Sequence, residues 1–137
     1  MLSDDELVRA LHRHWEYSGK DEDAAHEVYH DDAVLEFPQS GERFEGVENF
    51  REWRRQYPAN VSFHVRRITH REDLVVTEYL ISYDGAPWMF TVSIMEFRGE
   101  RVGRERIYIM DGFEPADWRA RWRSERPADL TPPTPGT

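Results

Sequence analysis

VSFHVRRITH (61–70), LVVTEYLISYDG (74–85), WMFTVSIMEFRG (88–99) and RVGRERIYIMD (101–111) follow one another with almost nothing between them. Each run is rich in β-branched and aromatic residues, and each alternates apolar with polar positions, the period of a strand whose side chains point to opposite faces. Asp84-Gly85 and Arg98-Gly99 stand between successive runs, where tight hairpin turns belong. Consecutive hairpins predict an antiparallel sheet.

Upstream of these runs the period becomes helical. GVENFREWRRQY (46–57) places Val47, Phe50, Arg54 and Tyr57 on one face, and Pro58 closes it. AVLEF (33–37), followed by Pro38, Ser40 and Gly41, reads as a strand and a turn. The chain opens with a helix start, Ser3 as N-cap with Glu6 in capping-box position. At about 100° per residue, Leu7, Val8, Leu11 and Trp15 share the buried face of this helix, with His14 at its flank. Ser18, Gly19 and Lys20 end it, and Asp21 caps a second short helix through Tyr29, whose apolar face is Ala24, Ala25, Val28 and Tyr29. PADWRARW (115–122) offers one or two final helical turns. Helices grouped before strands predict an α+β domain, one curved sheet wrapped on about three N-terminal helices.

The chain has 137 residues, a formal charge of −9 and no cysteine, so it holds one domain without a disulfide framework or a thiolate metal site. A reducing, cytoplasmic setting is the simplest expectation. The acidic balance argues against nucleic acid or an anionic membrane as partner, and no apolar run approaches the length of a membrane span. Five Trp, six Tyr and seven Phe are too many for a solvated segment. The folded domain is placed at 3–125, and the Pro-rich end, 126–137, is expected to be a disordered tail.

A second helix ending in YHDDAVLEFP (29–38), a glycine before a helix in EGVENFREW (45–53), and strands finishing EFRGERVGRERIYIMD (96–111) resemble the SnoaL-like branch of the NTF2-like superfamily. The resemblance implies a cone-shaped α+β barrel, a pocket between sheet and helices, and a homodimer through the outer sheet face. It spans polyketide cyclases, ketosteroid isomerases and epoxide hydrolases, so it implies no single activity. Compared with the isomerases, Phe37 stands where the general base precedes the proline, Ser93 stands where an acid donates to the oxyanion, and the first-helix tyrosine falls near Arg13, His14 and Trp15. Compared with the limonene-epoxide hydrolase type, Tyr79 and Ile81 replace the Arg-x-Asp pair, and Ile107 replaces the Asp before Tyr108.

If the Ile107 position faces inward, as that comparison implies, period 2 turns Glu105 and Ile109 inward and Arg104, Arg106 and Tyr108 outward. Thr77, Tyr79, Ile81 and Tyr83 then line one neighbouring strand, and Thr91, Ser93 and Met95 the other. With Trp15, Phe37, Trp53 and Tyr57 they outline an aromatic cavity for an apolar or aromatic small molecule. Glu105 and His14 are the candidate acid and base. A carboxylate among apolar walls is driven toward its neutral form, and imidazole titrates near neutrality. The plainer alternatives are that Glu105 pairs with a nearby surface arginine and that His14 is a satisfied, partly buried histidine.

His26-Glu27-Val28-Tyr29-His30 spells H-E-x-x-H, the zinc-protease pattern. On the expected helix, however, His26, Glu27 and His30 lie opposite the apolar face, toward water, so neither a metal nor any other cofactor is expected. Arg51, Arg54 and Arg55 alternate with acids in the manner of a salt-bridged surface.

Three functions stay open: cofactor-free acid/base chemistry on a hydrophobic cyclic metabolite, a non-catalytic ligand-binding or accessory domain, and a dimer with a filled core. Apolar residues on both sheet faces favour dimerisation, with Val75, Leu80, Val92 and Ile94 on one set and Tyr79, Ile81, Met95 and Phe97 on the other.

Overall fold

The computed structural model describes residues 2–125, so the Pro-rich stretch 126–137 lies outside the described residues. Helix α1, Asp4–Tyr17, begins with the reciprocal cap that the sequence predicts: the Ser3 hydroxyl accepts from the Glu6 amide at 3.2 Å, and the Glu6 carboxylate accepts from the Ser3 amide at 3.1 Å. Its buried residues are Leu7, Leu11, His14 and Trp15. Val8, expected on that face, is exposed instead, and His14 replaces it inside.

The second helix is shorter than its apolar pattern predicts. Helix α2 covers only Glu22–Ala25, the chain then tightens into a 3₁₀ turn, His26–Val28, and Tyr29 already opens strand β1, Tyr29–Phe37. Tyr29 has extended backbone and pairs with Val102, so the sheet takes its backbone groups and the helix cannot continue through it. Strand β2, Glu42–Glu45, is polar and lies at the sheet edge, and nothing in its composition separates it from the preceding turn. Helix α3 is Val47–Arg55. The four long runs become β3, Val61–Arg71, β4, Leu74–Tyr83, β5, Met89–Arg98, and β6, Arg101–Met110. A 3₁₀ segment, Asp117–Trp122, follows.

The six strands form one sheet in the order β2-β1-β6-β5-β4-β3. Strands β3 to β6 pair antiparallel through their hairpins, but β1 lies parallel to β6, so the sheet is mixed rather than antiparallel throughout. Hairpin turns dictate only the pairing of neighbours in sequence; β1 reaches the free edge of β6 from the helical end of the chain. Register shifts between Val65 and Arg67, between Glu96 and Phe97, and between Tyr29 and Val34 give the sheet its bends. With its helices the sheet has the α+β architecture expected from the sequence.

The concave face carries two apolar clusters. One joins Leu7, Leu11, Tyr29, Leu35, Phe50 and Met95, among others, and the second joins Trp15, Tyr79 and Ile81. Each large apolar side chain taken out of water contributes about 1.5–3 kcal/mol, and these contacts hold the helices against the sheet. Val75 belongs to the first cluster, so it faces inward with Tyr79 and Ile81, whereas the expected grouping put it with Leu80.

Candidate functional site

The helices and the concave face of the sheet enclose a cavity of about 1170 Å³. Aromatic groups form part of its wall. Trp15, Phe63 and Tyr79 pack on one side, with ring centroids 4.4 Å apart for Trp15 and Tyr79, and Phe37, Phe44 and Trp53 form a second group. Tyr57 stacks on Tyr83 at 5.3 Å. Of the expected wall residues, Trp15, Phe37, Trp53, Tyr57, Tyr79 and Ile107 all line the cavity, as do His14 and Glu105. Because His14 and Trp15 both reach it, the choice between neighbouring positions on α1 does not arise.

The period-2 argument decides the position of Glu105. Its neighbours Arg104 and Arg106 point outward, to Glu36 at 2.5 Å and to Glu96 at 2.7 Å. Glu105 is fully buried on the other face and pairs with neither. Tyr29 donates its phenolic proton to Oε1, and Ser93 donates its hydroxyl to Oε2 at 2.5 Å. Ser93 sits opposite Ile107 on the adjoining strand, the diagonal neighbour of Glu105, which is why its short side chain reaches. Ser93, expected on the cavity wall, is fully buried behind the lining residues, and its hydroxyl holds Glu105.

Burial holds Tyr29 well above the ordinary tyrosine pKa, with the Glu105 charge adding to it, so it stays a phenol and a donor. Tyr79 is raised for the same two reasons. Burial also pushes Tyr83 up to about 12, assisted by Tyr57.

His14 is 3% exposed, and its Nδ1 lies 2.7 Å from the Ala25 carbonyl oxygen. A carbonyl only accepts, so Nδ1 carries the proton, and in the neutral ring Nε2 keeps its lone pair. Burial lowers the His14 pKa; the Glu105 charge and the Ala25 carbonyl act the other way, and Arg54 reinforces burial. The imidazole is therefore neutral at pH 7 and fixed in one tautomer, with Nε2 unprotonated.

Arg54 was expected on a salt-bridged surface, and there the structure differs. Arg51 and Arg55 do meet surface acids, Glu48 and Glu52, but Arg54 turns into the cavity. It donates to His26 Nε2 at 3.0 Å and to the Tyr29 hydroxyl, and its guanidinium lies 5.5 Å from the ring centres of Phe50 and Trp53. Burial works against the cation, yet Tyr29 and the Glu105 carboxylate outweigh it and hold its pKa above the ordinary value. The signal was present in the sequence: Arg54 shares its helix face with Val47, Phe50 and Tyr57, and an arginine within an apolar stripe is a candidate for the interior.

The H-E-x-x-H pattern is taken apart by the fold. Helical angles stop applying at Ala25, so His26 is buried rather than directed at water. Its Nδ1 donates to the Glu22 carbonyl at 2.6 Å. Glu27 pairs with Arg13 at 3.0 Å, and His30, already in β1, donates Nε2–H to the Arg98 carbonyl at 2.5 Å. Among the described residues no group of three or more His, Cys, Asp or Glu is arranged to hold a metal ion.

Comparison with known proteins agrees with this architecture. The SnoaL-like domain family matches residues 8–105. An NTF-2 like protein of unknown function from Burkholderia xenovorans is 41% identical, with a TM-score of 0.83 over 90% of this chain and 98% of that one. A proposed ketosteroid isomerase from Kribbella flavida, 18% identical, aligns at TM-score 0.80 over 92% and 93% of the two chains. An LEH-like epoxide hydrolase of M. tuberculosis, 20% identical, aligns at 0.66 over 77% and 83%. At these last two identities the likeness is one of fold alone. No curated protein matches the chain.

Proposed function

The chain belongs to the SnoaL-like domain family of NTF2-like proteins, and from that premise we propose that its cavity binds a hydrophobic cyclic metabolite and moves a proton on it without a cofactor. Reactions of this kind are isomerisations, cyclisations and eliminations. One observation carries the reading: His14 is a neutral imidazole locked by Ala25 in the tautomer whose Nε2 accepts, on the wall of an aromatic cavity. His14 Nε2 takes the proton from a C–H next to a carbonyl, the electron pair passes to the carbonyl oxygen as an enolate, and the imidazolium returns the proton at the same or a conjugated carbon. Glu105 stabilises the imidazolium, since its charge already acts on His14 in that sense.

A cyclic ketone such as 2-tetralone, incubated in D2O and followed by NMR, tests this. The wild-type protein is expected to speed α-proton exchange, and His14→Gln to remove about a hundredfold or more of that acceleration. Binding without any acceleration would favour the second reading, a non-catalytic ligand-binding domain. That reading has its own support, because both Glu105 oxygens already accept protein hydroxyls and leave His14 as the base.

Homodimerisation through the outer sheet face is part of the same proposal. Its support is the exposed apolar pair Phe90 and Met110, neighbours across β5 and β6 on the face opposite Ser93 and Glu105. Light scattering at micromolar concentration is expected to give twice the chain mass; a monomer alone would contradict it. Among the described residues no helix is long and apolar enough to cross a membrane, and the lack of cysteine supports a cytoplasmic setting.

A further inference from the structure

Asp21, Glu22, Asp23 and Glu42 also line the cavity, but the polar groups beside Glu105 and Arg54 are unevenly matched. The acceptor capacity of Glu105 is engaged by Tyr29 and Ser93, one on each oxygen. Donors, by contrast, remain. Trp15 and Trp53 give the cavity their ring faces, their indole N–H groups being buried out of its reach, so the open donor is Arg54. Arg54 is anchored by His26 and by Tyr29, and these two bonds leave most of its guanidinium N–H groups uncommitted. A cavity donor without an acceptor is destabilising, so a ligand that supplies acceptors gains more beside Arg54 than one that supplies donors. Around these donors stand flat aromatic walls, Phe37, Phe44 and Trp53 on one side and Trp15, Phe63 and Tyr79 on the other.

We infer that the ligand is a planar aromatic or cyclic acid whose carboxylate is received by Arg54. The inference rests on the reading of the cavity as a small-molecule site and adds the charge of what enters it. Arg54 suits the task because a guanidinium offers paired N–H groups in the plane of a carboxylate. His26 and Tyr29 hold that plane in place, so little side-chain freedom is lost on binding. The Glu105 charge reaches Arg54 through Tyr29, which keeps the cation in place while the cavity is empty.

The test uses 2-naphthoate and 2-naphthamide, which share ring and outline and differ in charge, with calorimetric titration of the full chain. Naphthoate is expected to bind about tenfold more tightly or better. Arg54→Gln is expected to bring the two within about twofold of each other, and Arg54→Lys, which retains the charge, to keep much of the preference. Circular dichroism of both variants establishes that they fold, and the wild-type ratio stands without them. Equal binding of the two probes, or a preference that survives Arg54→Gln, would overturn the inference while leaving the cavity a small-molecule site. Binding of neither probe at millimolar concentration would overturn the inference, and the tetralone exchange experiment would then judge the function separately.

Discussion

Two histidines lie within one buried network and differ in one respect. His26 uses both ring nitrogens: Nδ1 donates to Glu22, and Nε2 accepts from Arg54. His14 uses only Nδ1, toward Ala25, and Nε2 makes no protein hydrogen bond among the described residues. Both are held neutral, and burial is the first cause for both; His26 is brought down to about 3 with Arg54 contributing next, while Glu105 moderates the shift at His14. A buried imidazole with both nitrogens satisfied is a structural strut. One with an accepting nitrogen on a cavity wall keeps a lone pair for a ligand's proton, the role proposed for His14. Burial and a low pKa, taken alone, do not tell the two apart; the hydrogen-bond count on the ring does.

Substitutions should widen or erase that difference. The largest effect belongs to the buried acid whose charge acts on His14 and on Arg54, the partner of His26. Glu105→Gln removes the buried partner charge of Arg54 and should cost about 3–5 kcal/mol in urea unfolding. A loss under about 1 kcal/mol would mean that the network is not electrostatically coupled. His26→Ala strands an Arg54 donor and should cost about 1–3 kcal/mol, with proton exchange on tetralone largely kept. Acid should separate the pair next. Both folded pKa values lie below that of an unfolded histidine, near 6.5, so the unfolded chain binds more protons and stability falls as pH drops below that value. The fall is at most about 1.4 kcal/mol per pH unit for each histidine, and that of His26 continues to about pH 3. Unfolding curves at several pH values should therefore be shallower for His26→Ala than for the wild type, and an unchanged slope would contradict its buried neutral state. A smaller stability effect, about 1–2 kcal/mol, is expected from His14→Gln, which loses the Ala25 bond and the ring contacts with Trp15 and Tyr29, and this variant should also lose the exchange activity.

Much of this was legible in the sequence because alternation is a strong signal. Period 2 through Arg104, Glu105 and Arg106 separates the buried acid from its outward neighbours, and the helical face that carries Leu7, Leu11 and Trp15 brings His14 with it. What was not legible depended on where one period gives way to another. Reading residues 22–29 as one helix placed Tyr29 on an apolar helix face and sent His26 to solvent; the chain instead tightens after Ala25 and enters the sheet at Tyr29. That early change turns Tyr29 toward Glu105 and His26 toward Arg54. The parallel pairing of β1 with β6 was equally hidden, since no hairpin announces it. Arg54 was missed for another reason: three arginines in five residues read as surface, and only its place in the apolar stripe of α3 marks it as the one that enters the cavity.

The claim on which the function turns is the protonation state of one ring. Nitrogen-15 NMR of the histidine side chains, titrated downward from about pH 8, reads tautomer and charge for His14 directly. The account predicts a neutral ring protonated at Nδ1 that remains neutral below the usual histidine midpoint near 6.5. A His14 that is already cationic at pH 7, or that carries its proton on Nε2, would remove the base from the site and contradict the proposed chemistry.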